Sequence, residues 1–448
     1  MTLRRSVVWL VVAMAAATTG RQSSAQEMPV VLGERSRAQV VDRWLAERFE
    51  TVVPMLMNRE DVDVWVVMSR EYNEDPVIKT MLPAKWMAAR RRTILVFRRT
   101  PDGSIDRAAV SRYAVGDAFP SSWNPEEEPD QWKRAVEIIG EYDPRTIAVN
   151  TSSTFGLADG VTHTDYEALV RELPEGLKDR VVSGEALAIG WLETRTDSEM
   201  AVYSQICRIA HQIIAEGLSD AVIQPGVTTT DDVEWWYRDR IRSLGLDTWF
   251  HPTVSLQRAD AGARDGDFSS AEESAVVMPG DLLHVDFGIT YLRLNTDTQQ
   301  HAYVLRPGEV SAPAGLIAAL RVGNRLQDIL TGEFTTGRTG NQILEAALNK
   351  ARAERIDATI YTHPIGFHGH AAGPTIGLWD QQGGVPGAGD YPLFPNTAYS
   401  IELNAAVPVP EWRGKKVRIM LEEDAFFDGR QVRYIDGRQM ELLLIPRQ

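Results

Sequence analysis

Two carboxylates lie within strand-like apolar sequence, and they constrain the fold more than any other feature. Asp286 interrupts the run LLHVDFG (282–288), and Asp297 follows eleven positions later in LNTDTQQ (294–300). The segment HVDFGITYLRLNTDTQ (284–299) predicts two short antiparallel strands with a tight connection, which would bring both carboxylates to one face about 5 Å apart. A buried carboxylate without a partner is very costly. The fold therefore has to place a cationic side chain or a metal ion beside these two carboxylates.

Three further segments carry polar, metal-type residues in an apolar context. They are THPIGFHGHAAGPTIG (362–377) with His363, His368 and His370, YSIELNAAVPVP (399–410) with Glu402, and IMLEEDAFFDG (419–429) with Glu422, Glu423 and Asp424. Each has a structural alternative, such as a turn cap, a strand-edge charge or a hydrogen-bond network in a glycine loop. Their joint occurrence favours a metal site. Because Cys207 is the only cysteine, the ligands must be oxygen and imidazole, which suit two divalent ions of the Mn, Zn, Co or Fe type.

Composition is consistent with a two-domain protein that does not bind nucleic acid. The chain has 448 residues, 44% of them hydrophobic, and a net charge of −15, whereas a phosphate backbone requires a basic surface. Strand-like runs at 62–70, 92–99 and 146–150, with helical patterns at 130–142 and 165–174, predict an α/β unit over residues 30–190. A second unit begins near residue 196, where Thr196 to Glu199 fits a capping box. Its helices and strands do not alternate regularly, so it is predicted to be α+β.

The N-terminus has the pattern of an export signal. Arg4 and Arg5 precede an apolar stretch from Val7 to Ala17, and a small-residue site ends at Ala25. The alternative is a membrane anchor, but the apolar run is shorter than the ~20 residues that a spanning helix needs. Residues 1–25 are therefore predicted to be a cleaved signal peptide of the Sec or twin-arginine type. The mature protein is expected in the periplasm or secreted, with no membrane segment.

These residues together resemble the M24 metallopeptidase family, whose members include Xaa-Pro aminopeptidases and prolidases. The family carries an Asp in a D-x-G strand, a second Asp eleven residues later, a histidine in a G-H-G-x-G loop and two late glutamates. The resemblance implies a pita-bread domain over residues 196–448, preceded by a smaller creatinase-type α/β domain. It also implies two divalent metal ions, manganese among the candidates, and a homodimer. The implied metal ligands are Asp286, Asp297, His370 (in Gly369-His370-Ala371-Ala372-Gly373), Glu402 and Glu422, with His368 as the alternative to His370.

The chain departs from the family pattern at three places. Thr298-Gln299-Gln300 stands where the family usually has a Thr-Arg pair after the second Asp. A family histidine upstream of the first Asp would fall at Ser269 or Ser270, and another, seven residues after the metal histidine, would fall at Gly377. His363 and His368 are the candidates to replace them. His251 is a candidate for the substrate pocket, or for packing.

The resemblance implies three alternative functions. The first is an aminopeptidase or dipeptidase that cleaves after an N-terminal residue that precedes proline, with a metal-activated water. Glu402 would then be both ligand and proton shuttle, and His363 or His368 would stabilise the tetrahedral intermediate. The second is a creatinase-like C–N hydrolase or a metal-dependent lyase that acts on a small molecule. The third is a binding protein without catalytic activity.

Overall fold

The computed structural model describes residues 28–260 and 274–446. The predicted signal peptide and the positions Ser269 and Ser270 lie outside the described residues. No helix in the described part of the chain combines the length and the apolar character required to cross a bilayer. The fold class is confirmed: a pita-bread α+β architecture follows an N-terminal α/β unit.

The N-terminal unit is a mixed sheet with helices on both faces. Its helices are α1 (Glu34–Arg59), α2 (Pro76–Met81), α3 (Gln131–Gly140), α4 (His163–Glu172), α5 (Glu175–Lys178) and α6 (Glu185–Glu193). Its strands are β1 (Val64–Arg70), β2 (Arg92–Arg99), β3 (Ile105–Val110), β4 (Ile147–Val149) and β5 (Val181–Ser183), in the order β3-β2-β1-β4-β5. Alternate residues of β1 enter different cores: Trp65 and Val67 pack with α1 and α6, while Val64 and Val66 pack with α3 and α4. This explains why the strand is apolar throughout.

The C-terminal unit contains two pairs of helices that pack against its sheets. The helices are α7 (Asp197–Gly217), α8 (Thr230–Ser243), α9 (Ala314–Thr331) and α10 (Gly340–Ala353). The strands are β6 (Thr253–Gln257), β7 (Leu282–Phe287), β8 (Thr290–Tyr291), β9 (Leu294–Asn295), β10 (Thr298–Val304), β11 (Asp357–Ile360), β12 (His363–Pro364), β13 (Thr397–Ser400), β14 (Leu403–Val409), β15 (Lys415–Leu421), β16 (Asp424–Phe427), β17 (Val432–Tyr434) and β18 (Leu443–Ile445). The sheets have the strand orders β18-β10-β7-β6, β11-β14-β15, β12-β13-β16-β17 and β8-β9.

Helix starts in this unit follow local sequence signals. Thr196 caps α7 and forms the predicted capping box with Glu199. The N-cap of α8 is Thr229, which forms a capping box with Asp232. Such boxes satisfy backbone N–H groups that would otherwise lack partners in the first turn. The capping boxes thereby fix the N-terminal ends of both helices.

The predicted antiparallel strand pair is present, but its connection is not tight. Strands β7 and β10 pair antiparallel, with Asp286 opposite Gln299. Between them the chain forms the small ribbon β8-β9, which turns at Leu292 and Arg293 with φ of 55° and 66°. Non-glycine residues seldom adopt this left-handed conformation. The sequence therefore carried no recognisable turn signal for the ribbon.

Candidate metal centre

Four carboxylates from four chain segments come together inside the C-terminal unit. Asp286 lies in β7, Asp297 directly before β10, Glu402 between β13 and β14, and Glu422 between β15 and β16. On β7, Leu283, Val285 and Phe287 pack into the core with α7 and α8, so the alternate residue Asp286 points to the opposite face. Strand alternation thus delivers the carboxylate to the interior between the sheets.

The ligand atoms form overlapping groups in which all atoms lie within 4.8 Å of one another. We name Asp286, Asp297 and Glu422 the first cluster, and His363, Glu402 and Glu422 the second cluster. A third group contains Asp297, His363 and His370. Glu422 belongs to both named clusters, and His363 joins the second cluster to the third group.

His363 is the histidine with the most contacts to these acids. Its Nε2 lies 3.4 Å from Glu422, 3.6 Å from Asp297 and 3.9 Å from Glu402. Its Nδ1 lies 3.0 Å from the Pro364 carbonyl oxygen, which can only accept a hydrogen bond. The proton of a neutral His363 ring therefore resides on Nδ1, and Nε2 presents a lone pair to three carboxylates. A cation is the group that would satisfy all four.

The other two histidines of the segment differ in position. His370 is exposed and packs edge-on against His363, with ring centroids 4.7 Å apart. Partial burial of its ring and the neighbouring His363 lower the pKa of His370. His368 is absent from every group of candidate ligands in the described chain. Burial, with the charges of Lys79 and Arg195, lowers its pKa to about 4. The structure thus brings His363 and His370 to the acids and places His368 elsewhere.

Two observations test whether these residues fit divalent cations. Asp286 Oδ1, Asp297 Oδ1 and His363 Nε2 are buried atoms that have no hydrogen-bond partner among the described residues. Burial, together with the charge of Glu422, raises the pKa of Asp286, Asp297 and Glu402 well above the ordinary range. Buried polar atoms normally find partners, and a hard-oxygen and imidazole set binds divalent metals. The residues fit a metal centre.

Polar neighbours fix the orientation of the acids. The Ser400 hydroxyl donates to Glu422 Oε1 at 2.6 Å, and the Asp297 backbone N–H donates to the Asp424 carboxylate at 3.3 Å. On the outer side, His211 bridges Glu423 at 2.7 Å and Asp436 at 3.0 Å. Burial opposes its protonation, but these two carboxylates raise the pKa of His211 to about 10.

His284 faces the same side of β7 as Asp286, as alternation predicts. Burial lowers the pKa of His284 to about 3 and that of His301, its neighbour at 5.2 Å between ring centroids, to about 4. Both rings are therefore neutral at physiological pH. His251 is exposed and interacts with Trp235 and Glu234, away from the described ligand groups.

Trp249 packs beside the candidate ligands, and the sequence analysis did not identify it. Its ring packs edge-on against His370 with centroids 5.1 Å apart, and its Nε1 donates to the Thr296 carbonyl at 3.0 Å. Gly369 lies directly on this ring, because a Cβ at that position would come within 2.2 Å of Trp249. The glycine is thus required for the close approach between the histidine segment and Trp249.

A residue of the N-terminal unit packs against the segment that carries the three histidines. Phe367 lies between two guanidinium groups, with its ring centroid 4.9 Å from Arg48 Cζ and 4.5 Å from Arg195 Cζ. Arg48 in α1 also forms a buried ion pair with Glu199 in α7 at 3.0 Å. These contacts join the two units next to the candidate ligands.

The comparisons with known proteins agree with this geometry. Residues 204–426 match the model of Metallopeptidase family M24. The structure is similar to an X-Pro aminopeptidase from Thermotoga maritima MSB8 (TM-score 0.60, 16% identity, covering 86% of this chain and 99% of that one). It is also similar to an Xaa-Pro dipeptidase from Bacillus anthracis (TM-score 0.56, 14% identity, 92% and 100% covered). A third similar structure is the dipeptidase PepE from Mycobacterium ulcerans (TM-score 0.58, 17% identity, 90% and 99% covered). No match was found among curated proteins.

Fold and site define the class as a metallopeptidase of the divalent-metal type. The chain belongs to metallopeptidase family M24.

Proposed function

We propose that the protein is an aminopeptidase or dipeptidase that releases an N-terminal residue preceding proline, and that it works with two divalent cations. The observation that carries the two-cation proposal is the pair of clusters that share Glu422. Glu422 would contribute to the binding of both ions, and the remaining members of each cluster would supply the other oxygen or imidazole ligands. The names of the similar structures supply the substrate class.

We assign five ligands: Asp286, Asp297, His363, Glu402 and Glu422. His363 replaces His370 in the set because its Nε2 faces three of the acids, whereas His370 reaches Asp297 and His363 from the exposed side. His370 then becomes the candidate for contact with the substrate. This assignment exchanges the roles that the glycine pattern had given to the two histidines.

The chemistry that divalent cations supply in such a centre is activation of a water and polarisation of the scissile carbonyl. Glu402 is suited to accept a proton and return it to the leaving nitrogen, because burial, Glu422 and Asp286 raise its pKa. His370 is neutral and lies at the exposed side, so a ring N–H can donate to the oxygen on which negative charge develops. Trp249 holds the His370 ring and excludes water from that side.

The test is peptide cleavage by protein reconstituted with Mn²⁺, Zn²⁺ or Co²⁺. We expect release of the N-terminal residue from Xaa-Pro dipeptides or tripeptides to be roughly 10–200-fold faster than from the same peptides with alanine in place of proline. The Asp286→Asn variant is the control for contaminating peptidases. Release from neither peptide, with turnover of an amidino or sulfonium compound instead, would favour the small-molecule hydrolase or lyase. The Gln299-Gln300 departure from the family pattern is the reason to include those compounds.

We also propose that the protein is exported, with cleavage after Ala25, since the first 25 residues have the pattern of a signal peptide. N-terminal sequencing of the protein from the periplasmic or extracellular fraction is expected to begin at Gln26. A mature chain that starts at Met1 in the membrane fraction would show an anchor instead.

A further inference from the structure

Gln299 is the side chain that connects two of the candidate ligands. It is buried in β10, and its backbone pairs on one side with Asp286 of β7 and on the other with Glu422. The Gln299 N–H donates to the Glu422 carbonyl at 3.0 Å. Its position is therefore fixed by main-chain hydrogen bonds to both ligand-bearing segments, independently of its side chain.

The side-chain amide of Gln299 makes three hydrogen bonds. Its Nε2 donates to Glu402 Oε1 and to Glu422 Oε2, the latter at 2.8 Å. Its Oε1 lies 2.9 Å from His284 Nε2. Carboxylates are acceptors only, so the NH₂ group has to face the two glutamates, and the carbonyl has to face His284. The amide orientation is thus determined by the chemistry of its neighbours.

His284 completes the network on the far side. Since Gln299 Oε1 can only accept, His284 Nε2 carries the proton, and Nδ1 is free to accept from the Ser255 hydroxyl at 3.4 Å. The hydrogen bonds therefore run in one direction, from Ser255 through His284 and Gln299 to Glu402 and Glu422. Each of the two glutamates retains oxygen lone pairs that face His363.

We propose that Gln299 is a positioning residue that fixes Glu402 and Glu422 relative to each other and so sets the affinity of the second cluster for a divalent cation. The inference rests on the proposed metal requirement of the site. A neutral amide orients both carboxylates while it leaves their negative charge for the cation. An arginine at this place would instead neutralise part of that charge. Groups that orient metal ligands in this way typically change metal affinity about 10–100-fold when they are removed.

The first cluster should depend less on this network. Asp286 and Asp297 accept no hydrogen bond from the Gln299 side chain, whereas both glutamates do. Glu422 belongs to both clusters, but its other oxygen accepts from Ser400. Loss of the amide should therefore weaken binding of the ion that requires Glu402 more than binding of the ion that requires the two aspartates. This asymmetry distinguishes a positioning role from general damage to the site.

The experiment is a titration of the metal-free protein with Co²⁺. Binding is monitored by calorimetry and by the visible absorption of bound Co²⁺. Wild type is expected to bind two ions. Gln299→Met is expected to bind one ion with nearly unchanged affinity and the other about 10–100-fold more weakly, with a changed spectrum for the weakened ion. Gln299→Asn, which keeps the amide but is one methylene shorter, is a second variant in case the methionine protein does not fold.

Gln300→Met is the matched control. Gln300 is also buried in β10, but its Nε2 donates at 3.2 Å to Glu423, which is in neither cluster. Its variant should bind both ions like wild type. The inference is overturned if the Gln299 variants bind both ions with wild-type affinity, or if Gln300→Met weakens binding equally. Because the titration needs no substrate, failure to cleave Xaa-Pro peptides would overturn the proposed function and leave this inference standing.

Discussion

Replacement of His363 by alanine is expected to remove bound metal and to lower kcat/KM for an Xaa-Pro peptide by about 10³-fold or more. Metal ions contribute several kcal/mol of transition-state stabilisation, and each ~1.4 kcal/mol changes the rate by a factor of ten. His363 Nε2 is the imidazole nitrogen that lies 3.4–3.9 Å from three of the acids. Without it, the second cluster retains only two carboxylates. Elemental analysis of the purified variant, together with kcat/KM, measures both effects.

The His370→Ala variant is expected to behave differently. It should retain its metal and lose kcat by roughly 10²–10⁴-fold, the usual contribution of a side chain that assists proton transfer. His368→Ala should retain metal content and most activity, because His368 lies outside the described ligand groups. The reverse result, in which His370→Ala loses metal and His363→Ala keeps it, would restore the assignment based on the glycine pattern.

The structure brings the four predicted acids together, but the imidazole closest to them is that of His363 and not that of His370, and the reason is physical. Each acid lies within a strand or directly at the end of one, and burial of a carboxylate there is costly enough to require an explanation. The histidine segment contains three imidazoles in a glycine-rich stretch, and local sequence does not determine which one faces the acids. The deciding contact is long-range: β12 pairs with β13, with His363 opposite Ser400, which places His363 beside Glu402.

One sequence signal was nevertheless available. His363 is followed three residues later by Gly366, the same spacing that drew attention to His370 and Gly373. With His363 as the ligand, the second histidine that the family resemblance expects seven residues later is His370, and Gly377 no longer marks a loss. The other departures remain: Gln299 and Gln300 donate to carboxylates where a Thr-Arg pair was expected.

Local signals also explain which parts of the fold could be predicted. The capping box at Thr196 and the alternation of β7 depend on a few neighbouring residues, and both are confirmed. The β8-β9 ribbon and the packing of Phe367 between Arg48 and Arg195 depend on left-handed backbone at ordinary residues and on contacts between distant segments. Neither leaves a pattern in the sequence.

The metal-free protein is expected to be less stable at pH 8 than at pH 5.5. Burial and the charge of Glu422 raise the folded-state pKa of Asp286, Asp297 and Glu402. The folded metal-free protein therefore binds more protons at these sites than the unfolded chain, whose carboxyls titrate near pH 4. Their contribution to the free energy of unfolding is fully present below that pH. It falls as pH rises, by about 1.4 kcal/mol per pH unit for each carboxyl that stays protonated.

Bound metal should reverse this dependence, because the ligands must be deprotonated to bind it. At a free metal concentration 1,000 times Kd, binding adds about 4 kcal/mol to the free energy of unfolding, so Tm should rise on addition of Mn²⁺ and rise more at pH 8. Calorimetric Tm between pH 5.5 and 8, with chelator and with metal, measures both effects.

His211, with its pKa raised to about 10, also lowers the free energy of unfolding as pH rises above 6.5. The metal-free Asp286→Asn variant keeps His211. The difference between its slope of Tm against pH and that of the metal-free wild type therefore measures the contribution of the acid cluster. A chelated protein whose Tm is unchanged between pH 5.5 and 8, and which metal does not stabilise, would contradict a buried acid cluster that binds cations.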